Sequence, residues 1–363
     1  MTDQATEGPT TGITMAELAM AARNHGMPLE ALRYDVTPVG LHYLLIHFDI
    51  PPADERTWSL EVGGAVARPL TLTMDELRRR PQVTAPVTLE CAGNGRARLD
   101  PRPISQPWLE EAVGTAEWTG TPLAPLLEEA GAGPDAVEVV FAGADRGVQG
   151  GLEHDYERSL TLAEAMRPEV LLAWAVNGQP LPPQHGFPLR LVVPGWYGMT
   201  SVKWLRRITV VTEPFDGYQQ TGTYLLHTSE DDPGTPVTRI QPRSLLVPPG
   251  IPEFESRVRI CAPGRVALTG RAWSGLAPVA AVEVSTDGGA SWAPARLEEQ
   301  PAPYAWAGWS YDWEATPGRH ELCSRATDAA GNTQPLAAPW NTGGYANNAV
   351  QRVPVTVPDA PGA

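Results

Sequence analysis

Apolar and polar positions alternate in short runs along most of this chain, bounded by glycine and proline. Residues 58–64, Trp-Ser-Leu-Glu-Val-Gly-Gly, alternate and end in glycines, as a strand entering a turn does. The spacing predicts further strands over 83–89, 136–141, 170–175 and 189–193, the last three as buried strands. Helical patterning is brief. It predicts a lead-in over 15–33, a capped start at Thr73-Met74-Asp75-Glu76-Leu77, a helix over 123–130 and a short one over 162–166.

The texture changes near residues 241–252, where Pro242, Pro248, Pro249 and Pro252 cluster and predict a linker or boundary. Beyond it only strand signals remain, over 257–261, 266–273, 279–285, 305–313 and 320–327, separated by turns such as Thr286-Asp287-Gly288-Gly289 and Asp328-Ala329-Ala330-Gly331-Asn332. Short strands at this spacing predict an antiparallel sandwich of immunoglobulin type. The expected architecture is therefore α+β: a mixed α/β domain over residues 1–240, then an immunoglobulin-like β-sandwich over 241–363.

A length of 363 residues suits two domains. The net charge of −15 argues against non-specific nucleic-acid binding, although a local arginine cluster still permits an anionic substrate. No apolar run approaches the ~20 residues of a membrane span, and residues 1–14 show no leader pattern. The expectation is a soluble cytoplasmic protein that binds neither membrane nor nucleic acid. Cys91, Cys261 and Cys323 form no CxxC pair and no zinc spacing. Cys261 and Cys323 are expected as plain buried thiols rather than an inter-sheet bridge.

Chemistry concentrates in two segments. Cys91 lies in Leu89-Glu90-Cys91-Ala92-Gly93-Asn94-Gly95-Arg96, a small-residue loop that lets a ligand approach its backbone, with Arg96 near enough to favour a thiolate. A soft thiolate selects thiophilic metal centres over magnesium or calcium. The second segment runs from His185-Gly186-Phe187-Pro188-Leu189-Arg190 to Ser201-Val202-Lys203-Trp204. Lys203 is the chain's only lysine among 27 basic residues, which points to a position where a compact ammonium does what a planar guanidinium cannot. Taken alone, Cys91 also reads as a buried core thiol and His185 as a satisfied core histidine. The Gly-rich residues 143–151 lack the strand, GxGxxG and helix order of a dinucleotide site, and no P-loop, zincin helix, nucleophile elbow or haem-attachment motif is present.

With these segments the chain resembles the sulfite oxidase family, a resemblance extended by Leu171-Leu172-Ala173-Trp174-Ala175-Val176-Asn177-Gly178 and, in the sandwich, by Gly270-Arg271-Ala272-Trp273-Ser274-Gly275 and Val282-Glu283-Val284-Ser285-Thr286-Asp287-Gly288-Gly289. It implies a molybdopterin-binding domain followed by a dimerisation domain, and one molybdenum-molybdopterin per chain with Cys91 as the protein ligand to the metal. It places pterin contacts on His47, Asp145, His185, Arg190, Ser201, Val202 and Lys203, a substrate-facing cation at Arg96 and the active-site tyrosine at Tyr224. Two further substrate arginines of the family are missing, since Leu45 and Gly343 stand in their places. Arg98, Arg146 and Arg158 are the candidates to replace them.

The first expectation is oxygen-atom transfer, oxidising sulfite to sulfate in a homodimer without a resident haem. Electrons would pass to a separate acceptor, whether a cytochrome, a quinone-linked protein or oxygen. The alternatives are reductive oxygen-atom transfer on a sulfoxide, nitrate or similar substrate, and a non-catalytic binding protein with a decayed cofactor domain. A Cys-His hydrolase built on Cys91 and His185 is a weaker reading, because no orienting carboxylate accompanies them.

Overall fold

A computed structural model describes residues 12–229 and 231–359. Most of the stretch expected to lack a leader, residues 1–11, lies outside the described residues. No helix among the described residues is long and apolar enough to cross a membrane.

Two five-stranded sheets make the first part. One runs in the order Leu70–Thr73, Ser59–Gly64, Leu205–Val211, Glu138–Gln149, Leu152–Thr161. The other runs Val83–Glu90, Val113–Pro122, Leu171–Val176, Gln179–Pro180, with Arg190–Val192 pairing to Leu171–Val176. Only Ser59–Gly64 and Leu205–Val211 pair in parallel here. The alternation read over 58–64 is what buries Leu60 and Val62 on one face and turns Glu61 to solvent. These residues join Phe141, Leu172, Leu191, Val202 and Trp204 in one core, where each large buried side chain contributes about 1.5–3 kcal/mol.

The helices are short and well capped. Thr73 and Glu76 form a reciprocal capping box at the start of Met74–Arg78. The lead-in expected over 15–33 is not continuous. A helix spans Met15–Ala21 behind a second capping box of Thr14 and Glu17, and a 3-10 turn follows at Leu29–Arg33. Between them His25 bridges Leu44, and Pro28 cannot continue a helix.

The sandwich pairs Arg243–Leu246, Gly264–Trp273, Ala307–Ala315 and Arg296–Leu297 in one sheet. Its second sheet runs Ile251–Pro252, Arg259–Ile260, Val353–Val357, Gly318–Asp328, Val279–Ser285, Ala293–Pro294. It is antiparallel except where Arg259–Ile260 meets Val353–Val357. Cys261 and Cys323 are both free and buried.

Of the linker or boundary expected at 241–252, the linker is corrected. Arg243–Leu246 is a buried strand against Gly264–Trp273, and the prolines bracket it rather than interrupt it. The two parts are bound together at this strand. Arg243 Nη1 donates to Glu90 Oε1 at 2.9 Å, both side chains being about 2% exposed, and Trp273 Nε1 donates to Glu90 Oε2 at 2.8 Å. Removing one partner of such a buried pair strands the other charge, at a cost of about 3–5 kcal/mol. Glu90 immediately precedes Cys91, so the sandwich buttresses the cysteine loop. An apolar cluster containing Met27, Tyr197, Tyr224, Ile240, Leu245, Trp273 and Trp306 fills the rest of the junction.

Candidate functional site

The strand Val83–Glu90 delivers Cys91 to a tight loop. Asn94 holds that loop closed: its Nδ2 donates to Glu90 Oε1 at 2.9 Å, and its Oδ1 accepts from the Ala112 amide at 3.0 Å. Gly95 takes a left-handed φ of +88°. Any side chain at Gly93 would collide with the Arg96 guanidinium, about 2.6 Å away, so the glycine lets Arg96 fold back over the loop. Burial pushes the Cys91 thiol up, and Arg96 opposes that shift.

Cys91 opens onto two adjoining cavities. The first is lined by His42, Tyr43, Leu45, His47, Asp145, Tyr156, His185, Arg190, Ser201, Lys203 and Tyr224. Its cations are held by backbone oxygens. Lys203 Nζ donates to Leu45 O at 2.8 Å and Gln184 O at 3.0 Å. Arg190 Nη1 donates to His185 O at 3.2 Å and Nη2 to Ser201 O at 3.1 Å, over the face of Trp118. Burial lowers Lys203 to about 7 and Arg190 to about 10. His185 and His42 are held neutral, first by burial and then by neighbouring cations.

Asp145 faces the same space because the pairing of Glu138–Gln149 with Leu152–Thr161 slips between Ala142 and Arg146. Its Oδ1 is buried without a partner, and desolvation lifts its carboxyl to about 7. Buried donors on carbonyls, an unpartnered carboxyl oxygen and a thiol at one end describe a receptacle for a polar, anionic group. Among the described residues no three His, Cys, Asp or Glu side chains gather as a protein-only metal site. A metal at Cys91 would therefore draw most of its ligands from a cofactor, and this residue set fits a molybdopterin, which Arg190, Lys203 and Asp145 would help to hold.

The second cavity shares Leu45, His47, Cys91 and Tyr224 with the first, and adds Arg23, Asn24, Ile46, Phe48, Arg96, Gln106, Trp108, Val148, Gln149 and Tyr345. Arg96 Nε donates to Gly343 O at 2.8 Å and Nη1 to Gln106 O at 3.3 Å, so part of this cavity-lining guanidinium is already committed. Tyr224 is buried in a left-handed conformation, φ +56°, and burial raises its phenol far above its ordinary range.

The structure brings Cys91, Arg96, His47, Asp145, His185, Arg190, Ser201, Lys203 and Tyr224 together. Val202 is the exception: its side chain packs in the core, so only its backbone remains for a ligand. Ser201 Oγ accepts from the Val193 amide at 3.1 Å. The three candidate replacement arginines diverge. Arg98 pairs with Glu110, Arg146 pairs on the surface with Glu153 and Asp155, and Arg158 is buried behind Tyr224.

Sequence reasoning missed His42, Tyr43, Tyr156, Gln106, Trp108, Gln149, Gln219 and Tyr345. Only the His42-Tyr43 pair, close before His47, offered a local signal. Gln149 Oε1 lies 2.6 Å from His47 Nε2 and accepts from Gln219 Nε2 at 2.9 Å, a contact across 70 residues that no spacing foretells. Tyr345 and Gly343 come from the sandwich side, so the second cavity is a joint product of both parts.

The chain matches the oxidoreductase molybdopterin binding domain over residues 47–219 and the Mo-co oxidoreductase dimerisation domain over 249–358. It is 34% identical over 351 residues to NADH nitrate reductase 1 of Oryza sativa subsp. japonica, and 36% identical over 351 residues to the NAD(P)H nitrate reductase of Hordeum vulgare. Each alignment covers 89% of this chain but only 38% and 39% of those proteins, so the chain spans about two fifths of their length. Among solved structures it is similar to the sulfane dehydrogenase SoxCD from Paracoccus pantotrophus. The TM-score is 0.80 at 26% identity, covering 99% of this chain and 96% of that one.

Proposed function

Because the chain belongs to the sulfite oxidase family of molybdopterin-binding oxidoreductases and carries a Mo-co dimerisation domain, we propose that it moves one oxygen atom and two electrons between a molybdenum cofactor and a small, singly charged oxyanion, nitrate being the simplest. The observation that carries this reading is Arg96. Its guanidinium lines the second cavity beside Cys91 with two donors already taken by Gly343 and Gln106; Arg23, the other arginine of that lining, donates to the His47 carbonyl, and Leu45, Ile46 and Trp108 make part of the wall apolar. Cations already partly committed match one negative charge better than two.

The chain's own groups have distinct parts. Cys91 holds the metal. His47, His185, Arg190, Lys203, the backbone at Ser201 and Val202, and Asp145 hold the pterin and its phosphate. When bound, the cofactor supplies the two-electron oxygen-transfer chemistry. Arg96 Nη2 orients the substrate anion, and the Tyr224 hydroxyl, kept protonated by burial, donates to an oxygen of it. Trp108, Phe48 and Tyr345 exclude water around the reacting atoms. Two nominal units, 1–240 and 241–363, and a homodimer joined through the second complete the reading, with a separate protein or small molecule exchanging the electrons.

Oxidation of sulfite to sulfate is the second reading. It is favoured by the likeness to a sulfane dehydrogenase along nearly the whole chain. Metal analysis, with dye-coupled nitrate reduction and sulfite oxidation on one preparation, separates the two. The expected result is one molybdenum per chain and a kcat/KM for nitrate at least about tenfold that for sulfite. Molybdenum-free protein with an intact fold overturns the enzyme reading, and a preference for sulfite overturns the substrate.

A further inference from the structure

Arg158 lies on the strand Leu152–Thr161 and is 2% exposed. Its Nη1 donates to the Gln219 carbonyl, while its Nε is buried without a partner. Among the described residues no carboxylate comes within ion-pair distance of it. Glu138, a nearby acid, instead accepts from the Phe215 amide. The fold treats another buried arginine very differently, giving Arg243 an ion pair with Glu90. A buried cation left without a counter-charge is a costly arrangement that packing alone does not call for.

What faces Arg158 is a pair of rings. Its Cζ sits 5.5 Å from the centroid of Tyr224, whose ring lies 5.1 Å from that of Tyr345. The Cζ of Arg96 lies 5.1 Å from the centroid of Tyr345. Each of the two tyrosines, tilted by 38° to one another, therefore carries a guanidinium near its ring, and both tyrosines line the second cavity. Arg96 reaches that cavity directly, and Arg158 reaches it only through Tyr224.

We propose that Arg158 is a positioning residue for the substrate anion: from behind Tyr224 it supplies the positive potential that Leu45 and Gly343 do not, and it holds the phenol aimed into the pocket. The proposal rests on the oxyanion reading above and deepens it. A field acting through a ring in a low-dielectric interior strengthens binding of a small anion and is poorly screened by salt. Arg158 also ties the turn Tyr218–Gly222 through Gln219, so a purely structural role is the competing explanation.

The experiment compares Arg158→Met with Arg158→Lys in the molybdenum-loaded enzyme. Nitrate affinity is measured by calorimetry, which needs no turnover, beside KM, kcat, metal content and thermal midpoint. Arg158→Met is expected to weaken nitrate about tenfold, in Kd and KM more than in kcat, while Arg158→Lys stays within about threefold of wild type. Arg146→Met, on a surface cation already paired with Glu153 and Asp155, should leave the affinity unchanged. If Arg158→Met does not accumulate, Arg158→Gln against Arg158→Lys reads the same difference. Unchanged nitrate affinity in the uncharged variant, or equal losses in the Met and Lys variants with a lowered midpoint, overturns the proposal. Failure to turn over nitrate or sulfite sinks the proposed activity instead, since the calorimetric comparison still reads Arg158.

Discussion

The two cavities that meet at Cys91 share Leu45, His47 and Tyr224, yet they handle charge in opposite ways. The first buries two cations, Arg190 and Lys203, whose donors rest on backbone carbonyls, beside a carboxyl with an unpartnered oxygen. The second is walled by Leu45, Ile46, Phe48, Trp108 and Val148, with Arg96 its main cation. The first is built for a permanent polyanionic occupant whose binding offsets the desolvation of its walls. The second must release what it binds, and two arginines already partly committed to backbone carbonyls, beside an apolar wall, favour weak, exchangeable binding. On the proposed reading, the cofactor's place is set by buried donors, whereas the substrate's is set by a few residues that are easily varied.

The comparison breaks first at the shared residue. Cys91→Ser should abolish oxygen-atom transfer, by more than about 10³-fold, because a hydroxyl is a poor replacement for a thiolate on molybdenum. The loop should persist, since Asn94 and Glu90 hold it independently of the sulfur. Turnover beside metal and pterin content measures this, and wild-type rates in the variant would remove Cys91 from the metal.

Lys203→Arg should be the next largest effect, although it keeps the charge. Nζ reaches two carbonyls, at 2.8 and 3.0 Å, above the ring of Trp204. A planar guanidinium cannot occupy that gap without moving one of them. The expected result is a several-fold loss of pterin after gel filtration, about 1 kcal/mol or more, with little change in KM for the substrate in the fraction that stays loaded. Full pterin occupancy would show that the first cavity tolerates either cation.

How legible the two cavities were in the sequence follows the same divide. Arg190, Ser201 and Lys203 belong to one segment that leaves a strand, passes a glycine turn and returns, so a local reading finds them together. Asp145 was identified by the resemblance, but what turns it inward is a bulge in pairing between Ala142 and Arg146, which depends on the partner strand. The second cavity gathers Asn24, Gln106, Gln149 and Tyr345 from widely separated stretches, and no periodicity in any one of them marks the meeting. The absent cation at Gly343 was legible, yet its new use was not: its carbonyl takes the Nε of Arg96. The prolines near 242–252 misled because strand edges and linkers carry the same residues, and only the burial of Ser244, Leu245 and Leu246 tells them apart.

The charge handling of the first cavity has a signature in pH. Asp145 is lifted to about 7 from its ordinary 3.8 by burial. The folded chain then keeps a proton that the unfolded chain has lost, so this group's contribution to stability falls as pH rises from 3.8 to about 7. Lys203, lowered from 10.5 to about 7, works the other way: its contribution recovers as pH rises from about 7 to 10.5. In cofactor-free protein, Asp145→Asn should therefore gain thermal stability over wild type, and the gain should widen from about pH 4.5 to about pH 7. A gap independent of pH would mean that Asp145 does not face a desolvated space.

The smallest effect is expected at Leu45, and it sharpens the comparison most finely because Leu45 lines both cavities. Its carbonyl, not its side chain, serves Lys203, so Leu45→Arg leaves the first cavity's hydrogen bond in place while adding a cation to the wall of the second. Coulomb attraction scales with the charge of the bound anion, so the new guanidinium should favour sulfite over nitrate roughly in the ratio of two charges to one. KM for sulfite should fall about three- to tenfold, and KM for nitrate by about the square root of that factor. Steady-state kinetics on both anions at two ionic strengths measures it. Equal changes for the two anions would mean that the added cation does not sense substrate charge, and the apolar wall would then lose its place as the reason for preferring a singly charged substrate.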